Sequence, residues 1–363
     1  MSVLATNYLT PTGREEAWRF TPLSRLGGLH DGSSPLTGID SLIGPSLVQP
    51  GVRVSRISRE LLTPESHSDD VVVQRVHAEC ASVLHLEISA GMEITQPIHL
   101  SRAIADGGQT ELSRVRISVA ENARAVVILE NSGNIVLGED IEIILAPNSF
   151  LKFVTLQEWD SPSIYVARHH AIIDRDATFE SVTVTVGGSL VRISPTVEFI
   201  APGSSAELLG VYFATEGQHF EHRIHVDHAV PKAKSRVNFK GALSGDKAHT
   251  VWIGDVLIRA AAEGTDTYEL NRNLLLSDGA RADSVPNLEI ETGEIVGAGH
   301  ASTTGRFDDE QLFYLMSRGV PMDEARRLVV RGFFAEIISH IGDELIQERL
   351  MTGIDGELAK AGQ

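Results

Sequence analysis

Cysteine is almost absent: the 363-residue chain holds one, Cys80. That excludes an internal disulfide and any site built from several thiolates of this chain. Basic residues are outnumbered by acidic ones, 31 against 49, for a formal charge of −18. A nucleic-acid binder needs a basic patch to displace counterions from phosphates, so that class is set aside, and no basic amphipathic stretch suits a membrane surface. No apolar run reaches the ~20 residues of a membrane-spanning helix. The opening residues, MSVLATNYLTPTGREEAWRF, lack the basic and then apolar regions of a secretion signal. These absences predict a reduced, cytoplasmic protein. Nucleotide, zinc-protease, hydrolase and thiol-redox signatures are missing too: no G-x-x-x-x-G-K-[ST], H-E-x-x-H, G-x-S-x-G or C-x-x-C occurs.

What is present is a folded composition, 42% hydrophobic and 22% charged, arranged around a repeat. Between about residues 110 and 290, strand-like runs open behind one punctuation mark. Asn122-Ala123, Asn148-Ser149, Asp176-Ala177 and Gly203-Ser204 stand at steps of 26, 28 and 27 residues. A turn residue, a small residue and a strand at near-constant interval predict stacked coils, with small side chains where coils crowd at corners. The runs 123–129, 151–156 and 178–186 alternate with a period near two, as half-buried strands do. An ordinary two-sheet sandwich would turn about every 8–12 residues, which the wider spacing disfavours. The spacing drifts in 232–243, 248–258 and 280–290.

Three regions are expected: a mixed, partly helical segment over 1–70, a β-helix core over 71–304 and a helical end over 305–363. The first includes a short helix over 15–20, ended by Thr21-Pro22, and a loop over 27–50. Strands are expected at 71–76 and 83–88. After Gly305 the period becomes helical. Asp308 and Gln311 read as a capping box, Gly319 and Pro321 as a stop, and a second helix begins near Asp323. Its apolar face carries Leu328, Val329, Phe333, Phe334, Ile337, Ile338 and Ile341. A third segment holds Leu345, Ile346 and Leu350, and the tail beyond Thr352 reads as frayed. Helices this few cannot build a large core alone, so they must lie on the spine or on another protein.

Histidine is the unusual resource. His219, His222, His225 and His228 fall within ten residues, but on a strand His222 and His228 share one face and His225 takes the other, which argues against a single metal site. His169-His170 also face opposite ways. His300 sits among Gly297, Ala298, Gly299, Ala301 and Ser302, where small neighbours leave an imidazole free for a metal or partner. The glycines there lack the spacing of a dinucleotide loop.

Several ordered blocks resemble the SufB/SufD family, and specifically its SufD branch. They are Glu16-Ala17-Trp18-Arg19-Phe20-Thr21-Pro22-Leu23, His228-Ala229-Val230-Pro231 with Ser235, Phe239-Lys240-Gly241 and Arg272-Asn273-Leu274-Leu275-Leu276-Ser277. Pro286-Asn287-Leu288-Glu289-Ile290 and the run from Gly299-His300-Ala301-Ser302-Thr303 through Ser317-Arg318-Gly319 complete the set. The resemblance implies a right-handed parallel β-helix with helical additions at both ends. It also implies a non-catalytic scaffold subunit of the SUF iron–sulfur assembly complex, paired with SufB through the end of the β-helix and docking the SufC ATPase on its C-terminal helices. The missing P-loop fits a chain whose ATP chemistry belongs to a partner. The SufB branch carries a cysteine on a late strand; the block Leu270-Asn271-Arg272-Asn273 has none, and thiolate is the usual cluster ligand. The resemblance assigns His300 to iron or cluster handling at the subunit interface, with Ala298 where some members have cysteine. It makes Phe333, Phe334 and Ile337 candidates for the ATPase contact. The chain alone would bind no cofactor, iron and the nascent cluster being held transiently in the complex, and by itself it could form a homodimer. Two other classes stand beside this reading. A carbohydrate-active β-helix enzyme would need clustered carboxylates, for which Glu289, Glu291 and Glu294 are candidates, although they straddle a turn. The other is a solenoid with a purely structural role.

Overall fold

The computed structural model describes residues 9–38, 40–46, 49–62, 67–306 and 309–361, without the side chains of 105–106, 309–311 and 360–361. Its strands are β1 (Val52–Ser58), β2 (Ser82–Ile88), β3 (Ile98–Val119), β4 (Arg124–Leu145), β5 (Phe150–Trp159), β6 (Ile164–Ile173), β7 (Thr178–Thr185) and β8 (Leu190–Phe199). They continue as β9 (Ser205–Ala214), β10 (His219–His228), β11 (Lys234–Leu243), β12 (His249–Ile258), β13 (Asp266–Leu275), β14 (Arg281–Ile290) and β15 (Gly297–Arg306). The α-helices are α1 (Val71–Glu79), α2 (Asp309–Ser317), α3 (Met322–Ser339) and α4 (Glu344–Ala361).

The long strand β4 divides the sheet. Its first half pairs with β5 and its second with β6. Odd strands then stack in order to β15 on one side and even strands to β14 on the other. These pairings are parallel, and one strand from each side makes a coil of a parallel β-solenoid of about eight turns. An antiparallel pairing of β1 with β2 lies at the start of the sheet.

The corners explain the repeat. Asn122, Asn148 and Asp176 sit at φ of 56–59° and Gly203 at 82°, a left-handed region that Asn, Asp and Gly enter more readily than other residues. The amides of Asn122, Asn148 and Asp176 donate to carbonyls at the next coil's corner, Pro147, Arg175 and Pro202. Asn148 Nδ2 also donates to Asn122 Oδ1 at 2.6 Å. The residues that follow, Ala123, Ser149, Ala177 and Ser204, are buried. The column continues where the marks seemed to drift: Lys232 at φ 60° and Gly264 at 74° take the same conformation and precede buried Ala233 and Thr265.

Inside the coils runs one apolar core, from Leu86 and Val115 to Phe239, Trp252 and Val256. Both outer faces are covered as well. Trp18, Leu26, Leu29 and helix α1 pack on Leu112, Val166 and Leu190. Helices α3 and α4 cover Val154, Val182, Leu209, Val211 and Phe213 of the odd-strand side. Burial on both faces gives parallel strands such as 208–214 their unbroken apolar character.

Three expectations are corrected. The strand expected at 71–76 is helix α1. Asp70 caps it by accepting from the Val72 amide, and packing of Val72 and Val76 against the solenoid overrides the β preference of a valine run. The tail beyond Thr352 is the second half of α4, anchored by fully buried Ile354. The helix expected over 15–20 is a single 3₁₀ turn, Glu16–Trp18. Asp308 and the side chain of Gln311 lie outside the described residues.

Candidate functional site

The solenoid ends on β14 and β15, each paired on one side only: β14 with β12, and β15 with β13. Among the described residues no further coil lies over them, so the interior of the last coil opens outward. Ala282, Leu288, Ile295 and Ala298 are only partly buried where they meet the core. Ile290 and Val296 stand exposed at the rim. An open parallel end with free backbone groups and uncovered apolar side chains is a template for another chain.

His300 lies on β15. The glycines around it form a strand instead of a loop, and the ring of half-exposed Tyr268 lies 3.0–3.1 Å from where a Cβ on Gly299 would stand. Along β13, Thr267, Glu269, Asn271 and Asn273 are buried while Tyr268 and Arg272 are exposed, so the first set faces inward. Register pairs His300 with Glu269, Ser302 with Asn271 and Thr304 with Asn273. His300 therefore stands on the inward-facing set of the last strand, exposed because β15 pairs with β13 alone among the described strands.

Beneath it the last coil is polar. Tyr212 Oη donates to Asn273 Oδ1 at 2.6 Å, Asn273 Nδ2 to Asn271 Oδ1 at 2.7 Å, and Ser284 Oγ to Asn271 Oδ1 at 2.7 Å. Glu269 stays outside this network. It is 1% exposed, and neither carboxylate oxygen has a hydrogen-bond partner. Burial, reinforced by the nearby charge of Asp255, pushes its carboxyl up to about 8. The sequence reading passed over Glu269. The available signal was the polar inward set of β13, which becomes visible only once the register is known.

The other histidines do not converge. His222 is fully buried, stacked on Tyr212 at 5.0 Å, with Nε2 3.1 Å from Thr185 Oγ1; burial depresses its pKa to about 3. His228 Nε2 lies 2.9 Å from Ser235 Oγ, and burial lowers it to about 4. His225 is exposed. His219 meets His249 of the next coil, with their Nδ1 atoms 3.2 Å apart. Among the described residues, no group of three or more His, Cys, Asp or Glu could hold a metal ion. Cys80, at the end of α1, is a buried member of the apolar cluster there, and burial pushes its thiol to about 12. Glu289 lies on β14, while Glu291 and Glu294 lie in the loop beyond it; all three are exposed.

Phe334 and Ile337 are not surface groups. Both are buried beneath α3 against the odd-strand side, and Phe333 is partly buried beside them. Most of the apolar face read from the sequence, from Phe333 to Ile341, is thus internal, spent on docking the helix to the solenoid, while Leu328 at its start is exposed. Lys240 Nζ to Glu336 at 2.6 Å and Arg349 to Glu130 and Glu158 at 2.7 and 3.0 Å line its margin. Outward-facing apolar side chains of the helical end are Phe313, Tyr314, Met316, Met322, Leu328 and Leu345.

Residues 102–333 match the family model described as SUF system FeS cluster assembly, SufBD core domain. A SufBD family iron–sulfur cluster assembly protein of Mycobacterium tuberculosis is 47% identical over 358 residues, covering 96% of this chain and 89% of the relative. The iron–sulfur cluster assembly protein SufD of Escherichia coli is 26% identical over 379 residues, with the same coverage of 96% and 89%. A second SufBD family protein, from Mycobacterium leprae, is 29% identical over 208 residues, 57% of this chain and 24% of that protein. The core model spans well over half of the sequence and falls on the solenoid and its helical end. This chain belongs to the SufBD family of iron–sulfur cluster assembly proteins.

Proposed function

We propose that the chain is a scaffold subunit of the SufD type, which performs no catalysis of its own and pairs through its open solenoid end with a SufB-type paralogue. The observation that carries this is the uncapped last coil, where β14 and β15 offer unpaired edges and partly covered apolar groups. His300 stands in that opening and would contribute an imidazole to iron or a nascent cluster, the cargo of the assembly, alongside groups of the paralogue. The absence of a cysteine in 270–273 fits a division in which the other subunit supplies thiolate. The exposed residues of α2 and the start of α3, Phe313, Tyr314, Met316 and Leu328, are the surface offered to the ATPase, SufC. They replace buried Phe334 and Ile337 in that role.

Co-expression with a SufB-type paralogue and SufC, followed by purification and iron and sulfide analysis, tests this reading. The expected result is a three-component complex that His300→Ala leaves intact with reduced cluster yield. A chain that co-purifies with neither partner sinks the proposal. Normal iron and cluster yield in His300→Ala removes the histidine from it.

A further inference from the structure

One buried acid on the inward face is unexplained by packing. Glu269 is 1% exposed with both oxygens unpaired, although the coil around it satisfies Asn271, Asn273, Tyr212 and Ser284. A buried carboxyl without a hydrogen-bond partner is destabilising, and a structural role would be met better by an apolar side chain. Across the coil its carboxylate lies against Gly254, where an added Cβ would stand 2.5 Å from the Trp252 ring and 2.7 Å from Glu269 Oε1, so the glycine leaves the room that both side chains occupy.

We propose that Glu269 and His300 are the two protein ligands of a half-site for a divalent first-row metal, completed by donors from outside the chain. The inference rests on the reading above for the metal's identity, ferrous iron. The two residues are register partners on adjacent parallel strands, which lie about 4.8 Å apart with same-face side chains adjacent. A carboxylate and an imidazole at that spacing can converge on one ion at ~2.0–2.2 Å each, and together they are a ligand set suited to iron. Glu269 lies below the opening and His300 at it, so the ion would sit between the polar floor of the last coil and an approaching partner. Binding gives the Glu269 carboxylate the partner it now lacks.

The test uses the full chain, alone and bound to the paralogue, titrated anaerobically with Co²⁺ and with Fe²⁺. Cobalt absorption in the visible region and competition with a chelator report affinity, and thermal denaturation reports folding. Wild type is expected to take one ion, with at least tenfold weaker binding in both Glu269→Gln and His300→Ala. Because Glu269→Gln is nearly isosteric with the neutral acid, its melting temperature should stay within a few degrees of wild type. Wild-type metal affinity in Glu269→Gln, alone and in the pair, overturns the inference even if His300→Ala is impaired, and the scaffold reading then survives. Absence of any bound ion in wild type under both conditions overturns it as well. Failure to co-purify with partners strikes the scaffold reading instead, and the titration of the chain alone still decides the half-site.

Discussion

At the residue scale the solenoid is governed by side chains that suit a strained corner. Asn122, Asn148, Asp176 and Gly203 announced the coils because few residues adopt positive φ cheaply. Lys232 and Lys247 occupy the same conformation, at 60° and 58°, yet lysine has no turn signature, so those coils were not legible. Replacing Lys232 with Asn should relieve part of that strain and stabilise the protein by about 0.5 kcal/mol, whereas Lys232→Val should destabilise it. The order of melting temperatures, Asn above Lys above Val, is the check. His169 makes a second residue-scale case. It is buried against Phe153 at 5.7 Å, neither ring nitrogen has a partner, and burial lowers its pKa to about 4. Below the unfolded value near 6.5 the unfolded chain takes up a proton that the folded chain refuses. Stability is therefore lost as pH falls from about 6.5 toward 4, by about 2.5 kcal/mol for this side chain at pH 4.5. His169→Leu should flatten that part of the pH–stability curve and leave stability at pH 8 equal or higher. An unchanged slope would show that His169 is solvated or paired in the folded protein.

At the scale of elements, the three C-terminal helices were legible in position, but the destination of their apolar faces was not. A helical period says that a stripe is covered; it does not say by what. Phe334 and Ile337 turn out to be covered by Val182, Leu209 and their neighbours on the chain's own strands. The valine run at 71–76 was misread for a related reason: local preference favoured a strand, and the Asp70 cap together with the outer face of the solenoid decided for a helix. Phe334→Ala should cost about 3–5 kcal/mol and loosen α3, read as faster tryptic cleavage at Arg326, Arg327 and Arg331 while the strand signal in circular dichroism persists. Phe313→Ser, on a side chain 74% exposed, should change stability by less than about 0.5 kcal/mol but weaken capture of SufC. Normal capture would move the ATPase contact away from α2.

At the scale of the whole molecule, the two ends of the solenoid are treated differently. The early coils are shielded by the N-terminal segment, α1 and the pairing of β1 with β2, while among the described residues no strand pairs over β14 and β15. A parallel sheet edge left open with apolar groups at its rim is a liability for a lone chain, so its persistence argues for an occupant of matching shape. A second solenoid end offers that match, either the paralogue's or, when the chain is alone, that of another copy. Ile290 and Val296 stand exposed at the rim, 43% and 76%, and neither is needed to close the core. Lysine at both positions should leave the melting temperature of the single chain nearly unchanged. It should weaken association with the paralogue, and any self-association, at least tenfold by placing charges in an apolar seam. Sedimentation velocity over a concentration series distinguishes the outcomes. Unaltered association of the double variant would place the seam elsewhere on the molecule and remove His300 from it.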